Sequence, residues 1–335
     1  MGKRFKLLCC LLLIVFGVQA QHRFRVMEYN VENLFDCQHD EGKNDNEFLP
    51  DAPKQWNEVR YFEKLNHLSQ VIAAVGEEQV PDLVGLCEVE NDSTMVALTQ
   101  RTALKNAGYE YVMTDSPDQR GIDVVLLYQP ATFKILNVTA ARVPSEQLKR
   151  PATRDQLHVT GLLQSGDTLD VFVVHMPSRA GGKDVSDQYR LFTSQMLKCA
   201  VDDLFKLRPQ ANVLIMGDFN DYPTDPAIAK VLGAVAPTDT IEDHHLYNLM
   251  AGRKGTYRYH GEWDVLDHII VSGTLLQKGK KGLNTSYDNA KIMELPFLME
   301  EDTKYGGPIP KRTYWGAKYN GGYSDHLPTC VDLHY

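Results

Sequence analysis

The stretch VLIMGDFN, residues 213–220, is an apolar run that ends in two polar residues set two apart. Such a run reads as a buried strand. Residues two apart on an extended chain point the same way, so Asp218 and Asn220 can address one ligand where the strand runs out. A second stretch, GYSDHLP at 322–328, sets Asp325 and His326 side by side just before another apolar run. An Asp/Asn pair joined by an Asp-His dipeptide from far along the chain suits a site that holds a metal ion and a phosphate.

Working outward, short apolar runs alternate with helical patterns along the whole chain. Strands are expected at Phe24–Tyr29, Leu83–Cys87, Val124–Tyr128, Val171–His175, Val213–Met216, His268–Val271 and Thr329–Leu333. Leu65, Leu68, Ile72 and Val75 repeat at helical spacing before Gly76, and Tyr189, Phe192, Met196 and Cys199 do so again. Asp225-Pro226 reads as an N-cap followed by a first-turn proline. No repeat, low-complexity linker or break in composition marks a boundary, so residues 21–335 read as one domain. A polar, Gly- and Lys-rich insertion from Gln277 to Gly322 reads as a substrate-side loop.

The ends of these strands carry the chemistry. Asn30 follows the first, Glu88 ends the second, Arg120 to Asp123 precede the third, and His175 ends the fourth. Asp218 and Asn220 end the fifth, Asp267 opens the sixth, and Asp325-His326 opens the last. Layered α/β folds build sites at strand ends. Magnesium takes oxygen ligands and keeps several waters, so one or two carboxylates suffice; Glu88 is the first candidate, with Asn30 and Asp325 beside it. His326 is suited to act as base toward water or, protonated, as a phosphate donor, with Asp267 orienting its ring. His175 is a second acid or phosphate contact, while Asp218 and Asn220 would orient the nucleophile.

YNVENLFD at 29–36, LCEVEN at 86–91, RGIDVVLLY at 120–128, HMPSRAGG at 175–182, MGDFND at 216–221, LDHIIVS at 266–272 and YSDHLP at 323–328 stand in one order. That order resembles the endonuclease/exonuclease/phosphatase, or DNase I-like, superfamily from Phe24 to the C-terminus. The resemblance implies an α/β (α+β) four-layer sandwich, two mixed β-sheets packed face to face and flanked by helices. It implies Mg2+ or Mn2+ at Asn30, Glu88 and Asp325, catalytic Asp218 and Asn220 beside a His326–Asp267 pair, and His175 at the DNase-like histidine position. The family tyrosine near RGID is not evident, and Arg120 is its candidate phosphate-binding substitute.

Other residues leave two readings open. Arg179 could bind phosphate or cap a Gly-rich turn. His268 reads as a strand residue on the face opposite Asp267, and His244-His245 as a solvated loop. The acidic run Asp36 to Glu47 lacks EF-hand spacing and reads as a solvated loop that could hold a structural cation. Trp263, Tyr257 and Tyr259 read as core or rim aromatics, with stacking on a base as the sharper alternative.

Lys3, Arg4 and Lys6 precede an apolar stretch from Leu7 to Val18 and the small-residue site Val18-Gln19-Ala20, the pattern of an export signal over residues 1–20. A secreted or periplasmic protein beginning at Gln21 is expected, with no membrane span and no stable protein partner implied. Cys37, Cys87, Cys199 and Cys330 then remain, in no zinc-binding pattern, either as disulfides or as buried thiols. Without the three signal cations, 32 Lys and Arg face 44 Asp and Glu, a net charge of −12. This excludes a protein that grips nucleic acid by charge alone. The expectation is a metal-dependent phosphodiesterase, a nuclease on DNA or RNA, with Lys278, Lys280, Lys281, Lys311 and Arg312 as a local backbone-contacting cluster. The alternative is a phosphatase or phosphodiesterase of small or lipid phosphates, inositol phosphatase- or sphingomyelinase-like; a binding module on the same scaffold is the third reading.

Overall fold

The computed structural model describes residues 22–144, 146, 151–179, 181–279 and 281–335. The export signal expected over 1–20, and Lys280, lie outside the described residues. Strand β1 (Arg23–Leu34) leads into helix α1 (Glu58–Gly76), β2 (Leu83–Val89), helix α2 (Asp92–Gln100), β3 (Glu110–Met113) and β4 (Asp123–Tyr128). Then come β5 (Phe133–Ala141), β6 (Gln156–Leu163), β7 (Thr168–His175), the long helix α3 (Lys183–Leu207) and β8 (Asn212–Asp218). The rest is short: β9 (Ala234–Val235), β10 (Leu246–Asn248), β11 (Tyr257–Tyr259), β12 (Glu262–Asp264), β13 (Asp267–Ser272), β14 (Ala290–Ile292), β15 (Met299–Glu301), β16 (Pro308–Pro310), β17 (Tyr314–Trp315), β18 (Lys318–Tyr319) and β19 (Thr329–His334).

One mixed sheet has the order β14-β19-β1-β2-β4-β3 and the other β5-β6-β7-β8-β13-β10-β9. Period-two alternation sorts their side chains. Phe24, Val26, Leu83 and Leu126 face Val171, Val173, Leu214 and Ile269 across the middle of the sandwich. Met27, Tyr29, Val84 and Leu86, on the other face, pack against Leu65, Leu68, Ile72 and Val75 of α1. Phe172, Val174 and Ile215 pack against Leu197, Val201 and Leu204 of α3. The result is the four-layer sandwich expected. Full burial of each such side chain is worth ~1.5–3 kcal/mol, which is why β2, β4 and β8 carry polar residues only near their ends.

All seven expected strands are present, each longer than the apolar run that signalled it. In α3 the buried side includes Tyr189, Thr193, Ser194, Leu197 and Val201, while Phe192 and Met196 are half-buried and Cys199 is exposed, so only Tyr189 of the 189–192–196–199 stripe is fully buried. A buried Thr-Ser pair hid the true face from an apolar count. The short helix after Asp225-Pro226 is a six-residue π-helical turn, Ala227–Leu232. All four cysteines in the described residues are free thiols.

The insertion divides in two. Asn284 bridges His334, and Leu283 N–H donates to Asp167 (3.0 Å), so its first part lies where β19 ends and β7 begins. The catalytic motifs sit at the other end, where β7 ends and β19 begins. Lys278 and Lys281 are therefore roughly 20 Å, a strand's length, from Arg312, so among the described residues Lys278 and Lys281 do not join Arg312 in the expected cluster. Only the part after Met293, folded into the hairpins β15–β16 and β17–β18, lies on the substrate side.

Candidate active site

Strand directions gather the polar residues at one edge. β7 runs parallel to β8, so His175 falls opposite Asp218, and β13 runs antiparallel to β8, so Asp267 falls opposite Asp218 as well. β19 enters beside β1 and brings Asp325 and His326 to Asn30, where the Ser324 hydroxyl donates to the Asn30 carbonyl (2.7 Å). The glycine of the MGDFN motif has a reason: Gly217 has φ +143°, and a Cβ there would stand 1.8 Å from the Val174 carbonyl oxygen on β7. Glu32, Asn33, Glu88 and Asn220, none of them glycine, all have φ between +51° and +69°. Left-handed backbone at ordinary residues costs energy and collects at functional sites.

Asp218 is the hub. Its Oδ2 accepts from Asn30 Nδ2 (3.0 Å) and Asn220 Nδ2 (3.2 Å), its Oδ1 accepts from Asn220 N–H (2.8 Å), and His175 Nε2 stands 3.5 Å away. Burial, only partly offset by His326, lifts Asp218 to about 7. Burial and the neighbouring Arg154 and Arg120 push His175 well down, so its ring is neutral. His326 goes the other way. Burial alone would lower it, but Asp267, bonded to Nδ1 at 2.7 Å, raises it well above the usual histidine range. The protonated ring is thus favoured at His326, whose other nitrogen, Nε2, stands 4.0 Å from Asp325.

Glu88 Oε2 accepts from Asn33 N–H (2.9 Å), while Oε1 faces Arg120 at 3.6 Å and His175 at 3.9 Å. Burial would raise Glu88, yet Arg120 and His326 more than compensate and it stays ionised. Asp325 accepts from Arg312 (2.7 Å), which also donates to Glu32 (3.1 Å). Glu32, lifted to about 7 by burial and Asp325, takes a further bond from Thr313 N–H (2.6 Å). Lys64, buried and lowered to about 8, donates to Thr313 Oγ1 (2.7 Å) and the Tyr323 carbonyl.

Asn30, Glu88 and Asp325 offer hard oxygen donors, one carboxylate ionised, which suits a hard divalent cation. A tighter group, Asp218, Asp267 and His326, also brings one ligand atom from each residue within 4.8 Å. In that group His326 Nδ1 is already engaged by Asp267 at 2.7 Å. The exposed trio Glu242, His244 and His245 meets the same distance.

Arg120 is half-exposed beside Glu88, where a phosphate could reach it. Arg179 is committed elsewhere: it donates to the Asn220 carbonyl (2.7 Å) and Asp225 (2.9 Å) and stacks 3.9 Å over Tyr222. It holds Asn220 in place from behind. His268 points away from the site, as expected, bonded to the Asp221 carbonyl and Asn248. The acidic loop closes on itself through buried Asp45, bonded to His39 and to Asp40 N–H. Sequence reading did not find Lys64, Glu28 or Arg154. Arg154 bridges Asp118 (3.1 Å) and the Met176 carbonyl (2.6 Å) beneath His175, and Glu28 lies buried behind Asp267. Their partners are 22 to 301 residues away in sequence, so no local pattern marks them.

A family model described as Endonuclease/Exonuclease/phosphatase family matches residues 25–335. None of the curated proteins matches the sequence. Among solved structures, a Bacteroides thetaiotaomicron protein of that family is 16% identical, with TM-score 0.61 over 94% of this chain and 98% of its own. A mannosyl-6-phosphatase from the same organism is 15% identical, with TM-score 0.59 over 93% and 100%. D. rerio TDP2, complexed with single-strand DNA product, is 15% identical, with TM-score 0.56 over 93% and 99%. At these identities the likeness is one of fold.

Proposed function

Since the chain belongs to the endonuclease/exonuclease/phosphatase family, whose members hydrolyse phosphoric esters, we propose that it is a secreted, Mg2+- or Mn2+-dependent phosphodiesterase acting on nucleic-acid strands. The observation that carries this reading is Asp218, held by both Asn30 and Asn220 and facing the His326–Asp267 pair. In the proposed reaction Asp218 takes a proton from the attacking water, and Asn220 fixes the direction of approach. The His326 imidazolium donates to a non-bridging phosphate oxygen, and its charge balances what develops there. Neutral His175 is a second donor, and Arg120 a half-exposed cation at the rim. Asn30, Glu88 and Asp325 would hold the divalent cation, which when bound offsets charge on the leaving oxygen. Export rests on the first twenty residues.

For a diester, room beside the phosphate supports the reading. A cavity of about 400 Å³ lined by Asn33, Lys54 and Arg312 and one of about 320 Å³ beside Asp325 both border Arg312. The removal of Lys278 and Lys281 from the site favours a second reading, a phosphatase of small phosphates, for which few cations suffice. A panel of single-stranded DNA, RNA, bis(4-nitrophenyl) phosphate, sugar phosphates and sphingomyelin, each with Mg2+ and with chelator, decides between them. Turnover of small monoesters with DNA and RNA left intact would overturn the first.

A further inference from the structure

The hairpins β11–β12, β15–β16 and β17–β18 enclose a cavity of about 320 Å³ that opens against Asp325. Its rim is aromatic. Tyr259, Tyr305 and Trp315 are 57%, 43% and 43% exposed, three large rings left in water within one hollow. Tyr259 stacks on His260 (3.9 Å between centroids, planes 17° apart), and His260 leans on Tyr305 (5.4 Å). The group is held rigidly. Arg258 of β11 donates to Asp302 (3.1 Å) and the Gly306 carbonyl (2.7 Å), locking the first hairpin to the loop between β15 and β16. Trp315 Nε1–H donates to Glu300 (3.0 Å), fixing its ring. Tyr257, deeper in, lies 4.9 Å from the His326 ring, so the hollow and the catalytic group share a wall.

The carboxylate of Asp302 is already taken by Arg258 and by the Lys304 and Tyr305 N–H groups, which leaves the rings as the main feature of the hollow's rim. A flat ring needs only faces to stack on, which the tyrosines and Trp315 supply. We propose that this hollow is a base-stacking subsite that holds the nucleobase next to the scissile phosphate. The inference rests on the phosphodiesterase reading for its catalytic meaning, although binding can be read without it.

The test compares thymidine 5′-(4-nitrophenyl phosphate) with methyl 4-nitrophenyl phosphate, which has the same leaving group and no base. The ratio of their kcat/KM values should fall about tenfold in Tyr305→Ala and in Tyr259→Ala, and Tyr305→Phe should keep it, since stacking needs the ring and not the hydroxyl. In parallel, thymidine 5′-monophosphate titrated into chelator-treated protein should quench tryptophan emission saturably, and Trp315→Phe should remove the quench. A quench without turnover of either ester would sink the hydrolase reading and keep the subsite. A ratio unchanged in both alanine variants, or mannose 6-phosphate competing as well as the nucleotide, would overturn the subsite.

Discussion

His326 and Asp267 are bonded at 2.7 Å in a buried setting, and at the scale of single residues that bond governs the site. Because Asp267 acts through His326, their losses should not add: Asp267→Asn with His326→Ala should be scarcely slower than His326→Ala alone in kcat. Additive losses would separate the two roles. Lys64 is the corresponding structural residue. Removing it as Lys64→Met leaves the buried Thr313 hydroxyl and Tyr323 carbonyl without their donor and should cost about 1–3 kcal/mol in urea unfolding. Glu90 carries the pH dependence. It is buried at 4% exposure and lifted from 4.5 to about 9 by burial and the nearby Asp36. The folded state keeps a proton that the unfolded chain releases, so this stability is full below pH 4.5 and is lost as pH climbs toward 9. Glu90→Gln should therefore raise Tm at pH 8 and give a shrinking gain as pH falls toward 5; an equal gain at both would show that protonation is not the cause.

At the scale of elements, β8 shows how tightly the backbone constrains the chemistry. A methyl group at Gly217 would meet the Val174 carbonyl oxygen, a backbone atom of the adjacent strand that cannot swing aside. Gly217→Ala should destabilise the protein by at least the ~1–3 kcal/mol of ordinary overpacking. It should also lower kcat, because Asp218 rides on the same strand; a variant with native Tm and turnover would contradict this. Strands β2, β4 and β8 were legible because burial on both faces leaves their middles purely apolar. The hairpin β5–β6 was not, since most of β5 is exposed and carries Lys134, Asn137 and Thr139 among its apolar residues. The candidate catalytic residues were legible at strand ends for a related reason: a polar residue closing an apolar run stands out. Arg312 was read as a backbone-contacting cation, yet it is an internal tie between Glu32 and Asp325, and sequence spacing holds no record of that.

At the scale of the whole molecule, charge and shape together limit what the site can grip. The acidic chain places Lys54 near the site, in the cavity beside Glu32, and Lys278 and Lys281 at the far end of the sandwich. Cleavage of single-stranded DNA should thus weaken with salt only modestly. Lys54→Gln should reduce the salt slope by about 0.7, the value for one phosphate contact on a single strand, while Lys278→Gln with Lys281→Gln leaves it alone. A slope that follows the distant lysines instead would mean that the strand runs over the other end of the molecule. The most direct measurement is turnover of bis(4-nitrophenyl) phosphate by the purified protein as EDTA is titrated against fixed Mg2+. Hydrolysis should vanish once chelator exceeds metal, return when Mg2+ is restored, and in Glu88→Gln require far more Mg2+ for a lower maximum. Full activity in excess chelator would contradict metal-dependent ester hydrolysis at this site.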